Sequence, residues 1–237
     1  MSHKRFFVNQ VLSETKITGE EYSHAKNVLR VGVGDEIILL DNSGKEYEAV
    51  VNAVDKKEIV CRVVSEHLGD KEASTEVTLL CGALKGDKTE LIVQKATELG
   101  INKIIVFESR FCSAYINENK LERLNKVARE AAKQCLRAVA PRVEYCKNLK
   151  DALERAKYVQ NKLFACEFAK ESDVSLRGLC GSCALVVGSE GGFSEEEFSL
   201  AKSMGYAGIT LGKRILRAET AAIALTAVVM FSLGEMQ

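Results

Sequence analysis

The chain has 237 residues, 46% of them hydrophobic, and its 33 Lys and Arg are balanced by 33 Asp and Glu. That apolar content can fill one large domain or two modest ones, and no apolar run reaches the roughly 20 residues of a bilayer span. A net charge of zero excludes a uniformly basic nucleic-acid binder, but not one with a local basic patch.

Residues 1–7 carry no apolar leader, so a cytoplasmic protein is expected. In that setting the eight cysteines are expected to be reduced thiols. Cys180 and Cys183 form the only C-x-x-C. A zinc site would need two further ligands, and a redox motif would open a helix, whereas this pair precedes a strand. His3, His24 and His67 are far apart and form no triad or ligand pattern, so no metal is expected.

Residues 1–70 read as a small β-rich module. Strands over 35–41, 45–54 and 58–65 are separated by the turn residues Asn42-Ser43-Gly44 and Asp55-Lys56-Lys57, with a short helical turn over 24–30. The polar stretch 68–75 lacks apolar periodicity and reads as a linker. A strand (76–84), a turn at Lys85-Gly86-Asp87-Lys88, a helix (89–99) closed by Gly100, and a strand (103–107) follow. That rhythm argues for a parallel sheet.

Residues 119–138 predict an amphipathic helix, with Leu121, Leu124, Ala128, Ala131 and Cys135 on one stripe. Arg123, Lys126, Glu130, Lys133 and Arg137 fall nearly opposite. Residues 119–150 hold 9 Lys and Arg against 3 Glu, while residues 1–70 hold 9 against 12 acidic residues. The basic face is therefore either a solvated surface or a nucleic-acid contact. A helix over 148–158 and a strand over 162–166, ending at Glu167, complete this part.

The C-terminal region repeats one unit twice. A strand over 184–187 breaks at Gly188-Ser189-Glu190-Gly191-Gly192 and leads into a helix. Ser194 and Glu197 have the spacing of a capping box at its start. A second strand, 207–211, breaks at Gly212-Lys213-Arg214 and leads through Ile215-Leu216-Arg217 into a helix over 220–233. That helix is apolar almost all round, which suits either core or a subunit interface. The two loops fall at the same end of a parallel sheet, where ligands bind. Neither a P-loop nor a dinucleotide fingerprint is present, and Glu190 would repel a pyrophosphate. A neutral or cationic ligand with hydroxyl and amino groups fits better.

Residues 187–194 (VGSEGGFS) and 211–221 (LGKRILRAETA) resemble the SPOUT-superfamily uridine N3-methyltransferases of 16S ribosomal RNA. Members of that family read G-P-E-G-G-F and L-G-x-R-I-L-R-x-E-T-A. Ser189 stands where proline is usual, and Ala218 where threonine is common. Residues 85–88 and 94–100 are also similar to the family, and 24–35 resembles its PUA-like domain, so the likeness spans most of the chain.

The resemblance implies an α/β fold with a parallel sheet and a C-terminal trefoil knot over 76–237. It also implies an N-terminal PUA-like β-barrel over 1–70, S-adenosylmethionine as methyl donor, and a homodimer acting on 16S rRNA in the small ribosomal subunit. Cys166, Glu167, Gly188, Glu190, Gly191, Leu211, Gly212, Leu216 and Thr220 would hold the donor. Family members often read E-Q-S/C-x-R where this chain has Lys133-Gln134-Cys135-Leu136-Arg137. Gln134 and Arg137 would then contact the substrate base and a phosphate, with Arg30, Lys85 and Lys88 also on the RNA side. Arg217 would stabilise the negative charge of a uridine that has lost its N3 proton; its other reading is a structural salt bridge with Glu219 or Glu190. A non-catalytic RNA-binding assembly protein is the rival reading. An NAD-dependent oxidoreductase lacks its fingerprint here.

Overall fold

The computed structural model describes residues 4–169 and 171–236; His3 lies outside them. The chain divides into two compact units, one running to Glu72 and including Ala132–Ala140, the other comprising Ala73–Ala131 and the residues from Pro141 onward.

The N-terminal unit contains β1 (Lys4–Phe7), β2 (Glu14–Thr18), α1 (Gly19–Ser23), a π-helical turn (His24–Val28), β3 (Glu36–Leu40), β4 (Lys45–Val54) and β5 (Glu58–Leu68). They form a sheet of order β1-β3-β4-β5-β2, in which β1 and β3 are parallel and the other pairs antiparallel. Irregularities in the β4–β5 register at Glu48/Ala49 and Val51/Ala53 bend the pair. Phe6, Ile37 and Leu39 enter one core with Ile17, Val51 and Ile59. Phe7, Ile38 and Leu40 pack on the other face against Ala132 and Ala138. Burial on both faces explains why β3 is a continuous apolar run instead of an alternating one. β1 and β2 were not anticipated: one is four residues long, and the other alternates two buried residues with charged or polar ones.

The C-terminal unit has a six-stranded sheet built from β6 (Val77–Gly82), β7 (Lys103–Phe107), β8 (Arg142–Cys146), β9 (Asn161–Ala165), β10 (Cys183–Val187) and β11 (Ala207–Ile209). Its order is β11-β9-β10-β6-β7-β8, and every pair is parallel. The helices are α2 (Lys88–Glu98), α3 (Glu118–Gln134), α4 (Leu149–Arg155), α5 (Glu195–Ser203) and α6 (Ala218–Ser232). Ile92, Leu124, Leu225 and Val229 from α2, α3 and α6 cover one face of the sheet. Leu149, Leu153 and Ala201 from α4 and α5 cover the other. A parallel sheet covered on both sides needs apolar residues at every position, and β6 and β10 are buried throughout.

The helix expected over 119–138 stops at Gln134, and Leu136 takes φ +64°. The helix expected over 148–158 is shorter, with the Asn148 side chain accepting the Asp151 N–H as its N-cap. β8 carried no anticipated signal. Along α6, Ala222, Leu225, Thr226, Val229 and Met230 are buried, while Val228 and Phe231 are exposed. Among the described residues no helix is long and apolar enough to cross a membrane.

Candidate functional site

The strand order turns back on itself between β10 and β9, so the carboxyl ends of β9, β10 and β11 lie together. A crevice of this kind is where open α/β sheets bind ligands. A cavity of about 650 Å³ opens there, within the range of small-molecule sites.

The loop after β10 forms one wall. The Gly192 N–H donates to the Ser189 carbonyl at 2.9 Å, closing a tight turn. Phe193 is buried against Phe164, with ring centroids 4.3 Å apart, and anchors the loop to the sheet. Ser194 then caps α5: its hydroxyl accepts the Glu197 N–H at 3.2 Å, and the Glu197 carboxylate accepts the Ser194 N–H at 2.9 Å. The capping role read from the sequence is thus present. Gly191 admits no larger residue, because an added Cβ would sit 2.6 Å from the Phe111 Cβ and 2.8 Å from its carbonyl oxygen. Gly188, Glu190 and Gly191 all line the cavity.

The loop after β11 forms the opposite wall through Leu211, Gly212, Leu216 and Arg217. Arg217 is exposed and takes the N-cap backbone position of α6, its carbonyl accepting the Ala221 N–H at 2.8 Å. Cys166 and Glu167, just past β9, close the third side. Burial pushes the Cys166 thiol above its ordinary range. Thr220 is exposed in the first turn of α6, outside the lining.

Charge at the site is organised around Lys88. Its ammonium lies 3.4 Å from Glu190 Oε1 and 3.9 Å from Glu219 Oε1, so Lys88 is the cation that faces both carboxylates considered as partners for Arg217. Burial raises the Glu190 carboxyl, but the Lys85 N–H, its own N–H and Lys88 outweigh this and hold it below the usual carboxylate range. Lys88 therefore belongs to the cavity wall, and Lys85 contributes its backbone N–H to Glu190 at 3.1 Å. Among the described residues Glu219 Oε2 is buried without a hydrogen-bond partner.

The remaining residues expected to touch RNA lie in the N-terminal unit. Arg30 and Gln134 are exposed. Arg137 departs from expectation: it is 2% exposed, and its Nε and Nη2 donate to Glu72 Oε2 at 3.0 and 2.8 Å. The helix ends before it and the left-handed Leu136 turns it inward, so its guanidinium meets the Glu72 carboxylate. Lys133 is likewise buried, 3.1 Å from Glu21. Two further residues carry contacts that no motif assigned, Ser189 having been marked only as standing where proline is usual. Ser189 lines the cavity beside Glu190. Asp173 accepts the Gly208 N–H of β11 and pairs with Lys202. Ser189 stood inside the quoted loop, whereas Asp173 sits in a polar stretch with no motif around it.

Among the described residues no three His, Cys, Asp or Glu cluster as a metal site would require. The walls instead offer backbone groups and side chains of both signs, Glu167, Glu190 and Glu219 with Lys88, Lys213, Arg214 and Arg217, a mixed lining that suits a ligand with hydroxyl and amino groups.

Comparison with known proteins agrees. Residues 71–230 match an RNA methyltransferase domain, and residues 17–64 an RNA methyltransferase PUA domain. The chain is 35% identical to the ribosomal RNA small subunit methyltransferase E of Mesomycoplasma hyopneumoniae, over 93% of this chain and 96% of that one. It is 34% identical to its namesake in Bacillus subtilis, over 90% and 88%. The crystal structure of the Neisseria gonorrhoeae enzyme of that name, bound to S-adenosyl methionine, superposes with a TM-score of 0.86 at 28% identity, covering 98% of each chain. With its doubly covered parallel sheet, its curled N-terminal sheet and these two domain matches, the chain belongs to the family of small-subunit ribosomal RNA methyltransferases of the E type.

Proposed function

We propose that this protein transfers a methyl group from S-adenosylmethionine to N3 of a uridine in the 16S ribosomal RNA of the small subunit. The observation that carries this reading is the cavity formed by three strand ends, walled by two glycine loops, with Glu190 and Arg217 on its lining. The donor fits the residues present. It is uncharged over its nucleoside and cationic at sulfur, which matches backbone-rich walls bearing Glu167 and Glu190 without a phosphate cradle. The buried Glu219 Oε2, which has no partner among the described residues, supplies an acceptor for a hydroxyl or amino group.

When bound, the donor supplies an already activated methyl group. The chain's own task is then to hold two reactants in line and to stabilise the charge that spreads over the uridine carbonyls once N3 has lost its proton. That electrostatic role falls to Arg217 in this reading, supported by its exposure on the cavity lining. Backbone groups of Gly188, Gly191, Leu211, Gly212 and Leu216 hold the nucleoside, with Cys166 and Glu167 at the rim.

Three further elements belong to the same reading. The protein works as a homodimer, supported by the exposed apolar side chains of Val228 and Phe231 on α6. The chain from β11 to α6 is threaded as a knot. This is supported by β11 lying at the sheet edge while α6 packs on β10 and β6, and by Ser172 and Asp173 fastening the preceding loop to Thr210 and Gly208. The site of action is the cytoplasm, where ribosomal subunits are found.

Calorimetry against S-adenosylmethionine and its demethylated product tests the site. Transfer of labelled methyl to small subunits from a strain lacking the gene tests the reaction. Binding of neither compound, or no label at N3 of any 16S uridine, would overturn the reading.

A further inference from the structure

Behind the cavity wall lies a buried polar contact that the mechanism above does not use. Ser109, in the turn after β7, and Ser189, in the loop after β10, place their hydroxyl oxygens 3.1 Å apart. Both residues are buried, at 8% and 4% exposure. Ser189 lines the cavity, whereas Ser109 approaches it from behind.

A hydroxyl pair largely shielded from water has few alternative partners, so each oxygen relies mainly on the other for its hydrogen bond. The contact is one of three along the same seam. The Arg110 N–H donates to Glu197 Oε1 at 2.9 Å, and the other oxygen of Glu197 completes the cap at Ser194. Phe111 fills the space left open by Gly191. The turn itself is closed by the Cys112 N–H donating to the Ser109 carbonyl at 3.0 Å. Of the three contacts, only the hydroxyl pair reaches the residue immediately before Glu190, at the start of the tight turn closed by Gly192.

We propose that Ser109 is a positioning residue. Through the Ser189 hydroxyl it fixes the 188–192 turn, so that Glu190 and the backbone of Gly191 present one fixed surface to the methyl donor. Ser109 touches neither donor nor RNA. Its effect falls on donor binding, because the turn it holds forms one cavity wall while Arg217 stands on the other. The inference rests on the methyltransferase reading above and identifies how that site is held in shape.

The experiment is a double-mutant cycle on the full-length protein, with S109A, S189A and the double variant. The dissociation constant for S-adenosylmethionine is measured by calorimetry, and KM and kcat by methyl transfer to undermethylated subunits. Each single substitution leaves a buried hydroxyl unpaired and is expected to weaken donor binding roughly ten-fold, while the double variant should be no weaker than either single one. The KM for the donor should rise with kcat nearly constant. S109T, which keeps the hydroxyl, should restore the wild-type constant.

Additive losses in the double variant would overturn the proposal, as would unchanged donor binding in S109A. A lowered melting temperature with an unchanged donor KM would reduce the pair to a stabilising contact and overturn it equally. The wild-type protein separates this inference from the function beneath it. If wild-type protein binds no donor, the functional reading fails; if it binds and S109A binds equally well, only the role of Ser109 fails.

Discussion

Gly82, the last residue of β6, lies backbone to backbone against Ser189. A Cβ added at Gly82 would fall 2.8 Å from the Gly188 carbonyl carbon and closer still to the Ser189 amide nitrogen. These are main-chain atoms of the cavity wall, so they cannot yield as a flexible side chain would. Gly82→Ala is therefore expected to push the 188–192 turn into the cavity. Overpacking of this kind costs about 1–3 kcal/mol of stability, and the displaced turn should weaken donor binding at least ten-fold. Thermal unfolding and calorimetry on the same preparation check both effects. Wild-type donor affinity in this variant would show that the turn does not shape the site.

Lys88 gives a pH-dependent prediction. The Glu190 carboxyl is held below its ordinary range, so its contribution to stability is present above the unfolded pKa and is lost as pH falls through the folded one. Lys88→Met removes one of the groups that depress it. The acid limb of the stability profile should then move to higher pH, toward the ordinary carboxylate value. At neutral pH the loss should stay within about 1 kcal/mol, because the pair is partly exposed. Melting temperatures of both proteins across acid pH check this. Superposed acid limbs would mean that the N–H groups of Lys85 and Glu190 hold the carboxyl without Lys88.

The tandem strand–loop–helix units were legible because glycine marks their strand ends and Ser194 with Glu197 marks a helix start. Three strands left less trace. β1 is too short to show a period, β2 carries charge on its exposed side, and Arg142 and Glu144 interrupt β8. The site was legible where its residues lie in the two loops. It was not legible where contact depends on partners distant in the chain. Lys88 meets Glu190 and Glu219, and Arg137 meets Glu72, across spans that no local pattern encodes. Residue type also misled at Lys133 and Arg137, since lysine and arginine are seldom buried unless paired, and the pairing is visible only in the fold.

Arg217 should separate binding from chemistry. With Lys88 facing both Glu190 and Glu219, the guanidinium is not needed to hold either carboxylate. Arg217→Ala is expected to leave the donor dissociation constant within about two-fold. Loss of charge stabilisation in the transition state should lower kcat about 10²- to 10³-fold. Arg217→Lys should recover only part of that rate, because an ammonium cannot span two acceptors as a guanidinium does. Single-turnover methyl transfer at saturating donor is the measurement. Wild-type turnover in the alanine variant would remove Arg217 from the mechanism.

Arg137 and Glu72 allow a test within the N-terminal unit. The Arg137 side chain is 3% exposed and that of Glu72 23%, while Glu72 Oε1 also accepts the Val139 N–H at 3.0 Å. Removing the carboxylate takes two hydrogen bonds from the buried guanidinium and one from the Val139 N–H. Glu72→Ala should therefore cost about 3 kcal/mol, at the lower end for a broken buried pair because Glu72 keeps some contact with water. Arg137→Met should cost less, since the stem is replaced by apolar volume and the remaining carboxylate is the more exposed partner. Amide exchange in β1 and β3, which pack with Ala132 and Ala138, reports the loss locally. If Arg137→Met left that protection unchanged but weakened binding to 16S RNA, the guanidinium would leave Glu72 to meet a phosphate, and the buried pair would be a resting state of an RNA contact.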